Sequence, residues 1–323
     1  MYKVYISDYV FADLEPEKEV LGGIAEVVPL QCKTPDELIA RAGDADALLN
    51  TYLDGIDGKV MDAMKNLKVI VRYGIGVNTI DVDAATARGI KVANVPEYCI
   101  DAVSDHALAL TLDCVRKTTL STNRIRKGEY TLSYVNPIKP LRGAYAGILG
   151  FGRIGKAIAG KLSGFGCDIH FFDPFIPGDL EINGINFKKA SLEEICSNAE
   201  IIIVQAPLTK ENIHLLGKKQ FELMTKKPVI VNTARGELVD TEALTDALEK
   251  GVVSAAGLDV WEGNPPLDAA EKLKKFENVI LTPHSAWVSG NSLRQLQYFA
   301  AQEAKRVLSG KPLKHIVNPE VLK

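Results

Sequence analysis

The 323-residue chain contains no apolar run approaching the ~20 residues that a bilayer-spanning helix needs. Its opening, MYKVYISDYV, lacks an apolar core of signal-peptide length, so neither a membrane nor export is expected and the cytoplasm is the expected compartment. Cysteine is sparse. Cys32, Cys99, Cys114, Cys167 and Cys196 are scattered without a CxxC pair, which leaves no disulfide framework and no zinc site; they read as buried thiols, and no metal is expected. An excess of positive charge is also missing: 38 Lys and Arg stand against 41 Asp and Glu, a formal net charge of -3. That balance offers no basic footprint for a phosphate backbone, so nucleic acid is not an expected partner. Internal repeats at a solenoid period and low-complexity tracts are absent too.

What is there suits an ordinary globular protein. Hydrophobic residues make up 46% of the chain and charged residues 24%, and the length allows two domains, each with its own core. Short apolar runs alternate with helical patterns, the sign of parallel α/β sheets. A first series runs through residues 3–6, 25–28, 47–49, 69–71 and 91–95; a second runs through 146–149, 168–172, 201–204, 229–231, 252–258 and 279–281. Six strands in the second series make a full dinucleotide-binding sheet. Thr34-Pro35-Asp36-Glu37 reads as a capping box and Arg88-Gly89 as a helix end. Val103, Ala107, Leu110 and Cys114 predict one long helix; Leu293, Leu296, Ala300 and Ala304 predict another. The charged segment 118–142, with Pro137 and Pro140, reads as an arm or connector.

The strongest motif is Gly150-Phe151-Gly152-Arg153-Ile154-Gly155, placed between an expected strand and a helix whose apolar stripe is Ile154, Ile158 and Leu162. Gly150 suits the tight turn, Gly152 the approach of a pyrophosphate, and Gly155 close helix–sheet packing, with the helix N-terminus facing the phosphate charge. Asp173 follows Gly155 by eighteen residues, where a carboxylate accepts from the adenosine ribose hydroxyls. It would repel a 2′-phosphate, and Pro174 and Phe175 bring no compensating charge. NAD is therefore expected rather than NADP.

Three polar residues each follow an apolar run of that sheet: Arg235, Asp259 and His284. Open α/β sheets bind ligands at such strand ends. Hydride transfer to a keto acid requires a cation for the carboxylate and carbonyl, and a proton donor for the developing alkoxide; arginine and histidine suit those tasks. Singly, the three also suit a surface ion pair, a turn former and a loop histidine.

Together with Pro207-Leu208-Thr209, Val231-Asn232-Thr233-Ala234-Arg235-Gly236, Gly257-Leu258-Asp259-Val260 and Thr282-Pro283-His284, these segments resemble the D-isomer-specific 2-hydroxyacid dehydrogenase family along essentially the whole chain. The stretches 282–287 and 70–76 resemble in particular the subgroup containing the C-terminal binding proteins, NAD(H)-dependent corepressors. The resemblance implies two flavodoxin/Rossmann-like, doubly wound parallel-sheet domains: a discontinuous substrate domain (1–100 plus 289–323) and an inserted NAD-binding domain (101–288). It implies a homodimer, with the arm at the dimer contact. Arg235 would bind the substrate carboxylate and keto oxygen, and His284 would be the general acid and base. Gly74, Ile75 and Gly76 would offer backbone amides to the substrate carboxylate, Tyr98 would reach the substrate, and Trp287 would wall the pocket. The cofactor would lie against Gly150, Gly152, Arg153, Ile154, Gly155, Asp173, Pro207, Thr233, Ala234 and Asp259.

One position departs from the family. Where its enzymes place a glutamate five residues after the aspartate to pair with the histidine, this chain has Asn264, which can orient an imidazole but gives it no charge; Glu262 is the alternative. The expected function is an NAD-dependent 2-keto acid reductase. Two alternatives stand beside it: an NAD(H)-sensing, corepressor-like binding protein, and a formate-dehydrogenase-like enzyme that pairs its histidine with an amide.

Overall fold

The structure, a computed structural model, describes residues 1–135, 137–263 and 266–323. The chain divides into two compact units, Met1–Cys99 with Ser289–Lys323, and Ile100–Val288.

In the first unit, strands β1 (Tyr2–Ile6), β2 (Ala25–Pro29), β3 (Ala47–Asn50), β4 (Val69–Arg72) and β5 (Lys91–Ala93) form one parallel sheet in the order β2-β1-β3-β4-β5. This is the flavodoxin-like doubly wound order. Helices cover both faces of such a sheet, so its strands read as unbroken aliphatic runs, and every residue of β3 is buried. Thr34 caps the helix Pro35–Arg41 by accepting from the Glu37 N–H at 3.3 Å. The expected capping box is only half formed: the Glu37 carboxylate accepts from the Lys33 N–H at 3.0 Å, one residue earlier than the box requires. β5 ends at Ala93, two residues short of the expected run, because the Val95 N–H turns away to the Gly74 carbonyl at 2.9 Å.

The C-terminal residues complete this unit. Helix Ser292–Leu308 buries Leu296, Ala300 and Ala304. Beyond it the Val317 N–H donates to the Val92 carbonyl at 2.8 Å, and Asn318 accepts from the Val92 N–H at 2.8 Å, so the tail is stitched to the β5 edge.

The second unit carries β6 (Tyr145–Leu149), β7 (Asp168–Phe172), β8 (Leu180–Ile182), β9 (Ile185–Lys189), β10 (Ile201–Val204), β11 (Val229–Asn232), β12 (Ala255–Leu258) and β13 (Val279–Leu281). Their order is β13-β12-β11-β10-β6-β7-β9-β8, with only β8 antiparallel to its neighbour. From β9 to β12 this is the Rossmann order. Two of the eight strands, β8 and β9, were not expected from the sequence. They are three and five residues long, alternate apolar with polar side chains over Leu180–Ile182 and Ile185–Phe187, and bury only Phe187. The turn between them, Asn183-Gly184 at φ 53 and 76, is nonetheless a strong hairpin signal. β12 starts at Ala255 rather than Val252, because the Val252 and Val253 N–H groups close off the helix Thr241–Glu249 on the Ala247 carbonyl.

Helix Ile100–Arg116 buries Val103, Ala107, Leu110 and Cys114. It packs so close to β12 that a Cβ on Gly257 would lie 2.9 Å from Leu110 Cβ and 3.3 Å from Cys114 Sγ. Asp113 then turns the chain into the helix Thr118–Arg126, accepting from the Thr119 N–H at 2.7 Å. Arg124 and Lys127 both pair with Glu277, which ties the start of the arm to the segment before β13. No helix among the described residues is long and apolar enough to cross a membrane.

Candidate active site

The glycine motif sits between β6 and the helix Arg153–Ser163. Gly150 adopts φ 95, and a Cβ there would strike the Ala206 backbone at 2.6 Å; only glycine makes this turn against β10. A Cβ at Gly155 would lie 2.2 Å from the Gly150 carbonyl oxygen, so the helix can start this close to the strand only without a side chain. Gly152 caps the helix and differs: a Cβ there would meet nothing within 4 Å. Open space over an eleven-residue helix N-terminus fits a pyrophosphate. Asp173 lies just past β7, its carboxylate accepting from the Phe151 N–H at 2.9 Å and from the Phe175 N–H at 3.0 Å. The acid that would meet the ribose is thus locked to the glycine turn itself, and each oxygen retains acceptor capacity.

The turn that carries Arg235 is built by the residue that ends β11. The buried Asn232 amide accepts from the Ala234 N–H at 3.0 Å and donates to the Arg235 carbonyl at 2.8 Å, a local side-chain turn that replaces the strand ladder. Thr233 donates to Gln205 at 2.7 Å, which joins the ends of β11 and β10. Arg235 is half-buried, and its Nη1 donates to the Ala234 carbonyl at 2.7 Å. Pro207 is exposed, and its carbonyl accepts from Asn212 at 2.7 Å.

Asp259 is buried past the end of β12 and holds the turn that carries His284. Its carbonyl accepts from the His284 N–H at 3.0 Å, while its carboxylate accepts from the Ser285 and Ala286 N–H groups at 2.9 Å each and from the Thr282 hydroxyl at 2.5 Å. The grip matters because His284 sits at φ 51, a conformation that costs a side-chain-bearing residue about 1 kcal/mol. Its reward is placement: His284 is exposed on a rigid turn, followed by the half-buried Trp287. From the neighbouring helix, His106 Nε2 approaches Thr282 Oγ1 at 2.9 Å and Asp259 Oδ1 at 3.6 Å. Sequence reasoning missed His106, because its partner is 176 residues away.

Asn264 lies outside the described residues. Glu262, the alternative carboxylate for His284, is engaged elsewhere: Oε1 with His214 Nε2 at 2.7 Å and Oε2 with the Thr241 N–H at 2.8 Å. That hydrogen bond raises the His214 pKa above its ordinary value. His214, Asp240 and Glu262 cluster at the surface, with Asp240 3.7 Å from Nδ1. Nε2 is hydrogen-bonded to Glu262, while Asp240 stands near Nδ1 as a charge beyond hydrogen-bond distance.

The remaining expected site residues belong to the first unit. Among the described residues, no oxygen accepts from the N–H groups of Ile75 and Gly76, whereas the Gly74 N–H donates to the Arg72 carbonyl at 2.9 Å. The loop carbonyls are tied back, Gly74 to the Val95 N–H at 2.9 Å and Ile75 to Asn94 at 2.6 Å. Tyr98 is buried; that burial, with Cys99 adding to it, pushes its phenol well above the usual range and keeps it protonated. Asp8, a residue the sequence did not single out, accepts from three consecutive amides, Thr51 at 3.1 Å, Tyr52 at 2.6 Å and Leu53 at 3.2 Å, and so fixes the loop after β3.

Residues 108–286 match the model of the D-isomer specific 2-hydroxyacid dehydrogenase NAD-binding domain. A glyoxylate reductase of Thermofilum pendens is 36% identical over 329 residues, covering 99% of this chain and 96% of that protein. A D-3-phosphoglycerate dehydrogenase of Methanocaldococcus jannaschii is 34% identical over 98% of this chain, which spans 60% of that longer protein. Among solved structures, an NADPH-dependent glyoxylate/hydroxypyruvate reductase of Sinorhizobium meliloti, in complex with NADP and malonate, superimposes with a TM-score of 0.84 at 27% identity over 99% of this chain and 97% of that one.

Proposed function

Since the chain belongs to the D-isomer specific 2-hydroxyacid dehydrogenase family and is an oxidoreductase acting on the CH–OH group of small hydroxy acids, we propose that it reduces a 2-keto acid at C2 with NADH. Asp259 carries the reading: its grip displays a histidine in a strained turn at the mouth of a sheet whose next strand ends in a displayed arginine. The nicotinamide, when bound, supplies the hydride. Arg235 binds the carboxylate and polarises the keto oxygen, and protonated His284 gives its proton to that oxygen as negative charge develops there. Asn264 stands in place of the family glutamate and has no charge to lend the imidazolium. The Gly74–Gly76 loop serves the substrate carboxylate, with its Ile75 and Gly76 amides the available donors, and Tyr98 and Trp287 contact the substrate. Asp259 is assigned to the nicotinamide side through the turn it holds, since its own carboxylate is buried on Thr282, Ser285 and Ala286.

Asp173 supports NADH over NADPH. Its carboxylate is fixed to the Phe151 and Phe175 amides, so it cannot swing away from a 2′-phosphate without breaking both bonds. The glyoxylate reductase and glyoxylate/hydroxypyruvate reductase relatives support a small substrate, glyoxylate or hydroxypyruvate in size. Exposed Ile125, Tyr130 and Leu132 on the arm support pairing of two copies through that segment. The resemblance to the C-terminal binding proteins and the uncharged Asn264 favour a second reading, an NAD(H) sensor with weak turnover. A panel of 2-keto acids ranked by kcat/KM with NADH and with NADPH tests both. Rapid reduction with NADH supports the reductase; tight NADH binding without turnover of any keto acid supports the sensor. Release of carbon dioxide from formate with NAD would overturn both in favour of a formate-dehydrogenase-like enzyme.

A further inference from the structure

We infer that His106 is a positioning residue for His284, acting through Thr282 and Asp259; the inference rests on His284 being the proton donor of the proposed reaction. Thr282 has a single hydroxyl proton and gives it to Asp259 Oδ1 at 2.5 Å. At 2.9 Å the same hydroxyl oxygen therefore accepts from His106 Nε2, which fixes the tautomer and makes His106 the head of a chain of donors. The donors converge on Asp259: His106 Nε2–H gives to Thr282, Thr282 O–H gives to Asp259 Oδ1, and the Ser285 and Ala286 amides give to Asp259 Oδ1 and Oδ2. His284 sits between the last links, at φ 51, with its own N–H on the Asp259 carbonyl at 3.0 Å.

His106 enters from the helix Ile100–Arg116, which is clamped on the sheet by Leu110 and Cys114 over Gly257. It thus ties the one mobile link of the chain, the Thr282 rotor, to a rigid element. Without that donor, Thr282 can rotate away from Asp259, and the carboxylate loses its orientation toward the two amides that hold the strained turn. A misplacement of the imidazole by about 1 Å costs up to ~100-fold in rate.

The chain predicts a distinct pattern among variants, because Gln places its amide nitrogen as many bonds from Cα as Nε2, and Asn only as many as Nδ1. His106→Leu and His106→Asn should each lower kcat for the best keto acid about tenfold, while the dissociation constant of NADH, read by its fluorescence, stays within twofold. His106→Gln should restore most of the loss. Thr282→Val should match His106→Leu, and the double variant should be no slower than either single one, since both break the same chain. Hydrogen exchange of the peptide spanning residues 282–288 gives a readout independent of turnover: it should speed up in His106→Leu and not in His106→Gln. Multiplying losses, equal impairment by Gln and Leu, or unchanged exchange would overturn the inference. If His106→Leu does not fold, the Gln and Asn pair decides alone. His284→Gln separates the two readings: retained turnover there removes the proton-donor assignment, whereas loss of turnover there with full activity in His106→Leu removes only the role of His106.

Discussion

Both units are doubly wound parallel sheets with polar residues at the C-terminal ends of their strands, yet they use those ends in opposite ways. In the first unit the polar groups turn inward on the backbone. Asp8 takes three successive amides, and Asn50 donates to the Leu53 carbonyl at 2.9 Å and accepts from Thr79 at 2.6 Å. The product is a rigid backbone surface. In the second unit the polar groups hold the turns that carry the proposed reagents: Asn232 holds the turn at Arg235, and Asp259 holds the turn at His284. One fold can therefore present amides or reagents at the same edge, and the choice rests on whether the buried carboxylate or amide holds a loop for its own N–H groups or for the side chain it carries.

The largest test of this contrast is to remove the displayed groups. Arg235→Ala or His284→Ala should lower kcat/KM by about 10²–10³-fold, the range seen when one charge-stabilising or proton-donating group is deleted. The melting temperature should fall little, because the turns that carry the two residues are held by the side chains of Asn232 and Asp259. A large fall in stability with modest loss of rate would reverse the assignment.

The glycine turn offers the next largest effect and sets steric need against functional need. Gly155→Ala places a methyl 2.2 Å from the Gly150 carbonyl and should destabilise the second unit by about 1–3 kcal/mol, as overpacking does. Gly152→Ala meets nothing within 4 Å and should leave the melting temperature alone while weakening NADH, measured by fluorescence titration. If Gly152→Ala binds NADH normally, the open space is not where the pyrophosphate lies.

How far these features were legible in the sequence depends on the distance between partners. The strand bodies and the glycine turn could be read because their cause is local: an aliphatic run, or a motif whose members touch one another. Asn183-Gly184 was equally local, but the strands beside it, of three and five residues with one buried side chain between them, are too short and exposed to stand out. The capping box at Thr34 was right in its first half and wrong in its second, since a glutamate chooses among amides one residue apart. Asp8 and His106 could not be read at all. Their partners are 43–45 and 176 residues away, and nothing in their neighbourhood marks them as different from a surface aspartate or a helical histidine.

Removing Asp8 sharpens the comparison from the other side. Asp8→Ala leaves three amides without their acceptor, at about 1–3 kcal/mol for each that water does not reach. Hydrogen exchange should rise in residues 50–54 and remain unchanged in residues 282–288. Equal rises in both segments would mean that the two units do not hold their strand ends independently.

The smallest effect belongs to the surface link between His214 and Glu262, where side chain meets side chain and neither backbone surface nor displayed reagent is at stake. The Glu262 hydrogen bond raises the His214 pKa above its ordinary value, with the charges of Glu262 and Asp240 adding to it and a little burial opposing. A raised folded-state value means that the link stabilises fully below the unfolded value of about 6.5 and that this stabilisation is lost as pH rises through the folded value. His214→Gln keeps a donor for Glu262 but carries no charge, so the stability gap between the native protein and this variant should be widest near pH 6 and narrow toward pH 9. The imidazole is 43% exposed, and solvent screening should hold the gap below about 1 kcal/mol. Denaturant midpoints of the two proteins across that range provide the check, and a gap that widens with pH would mean that neutral His214, not its imidazolium, is the form the fold prefers.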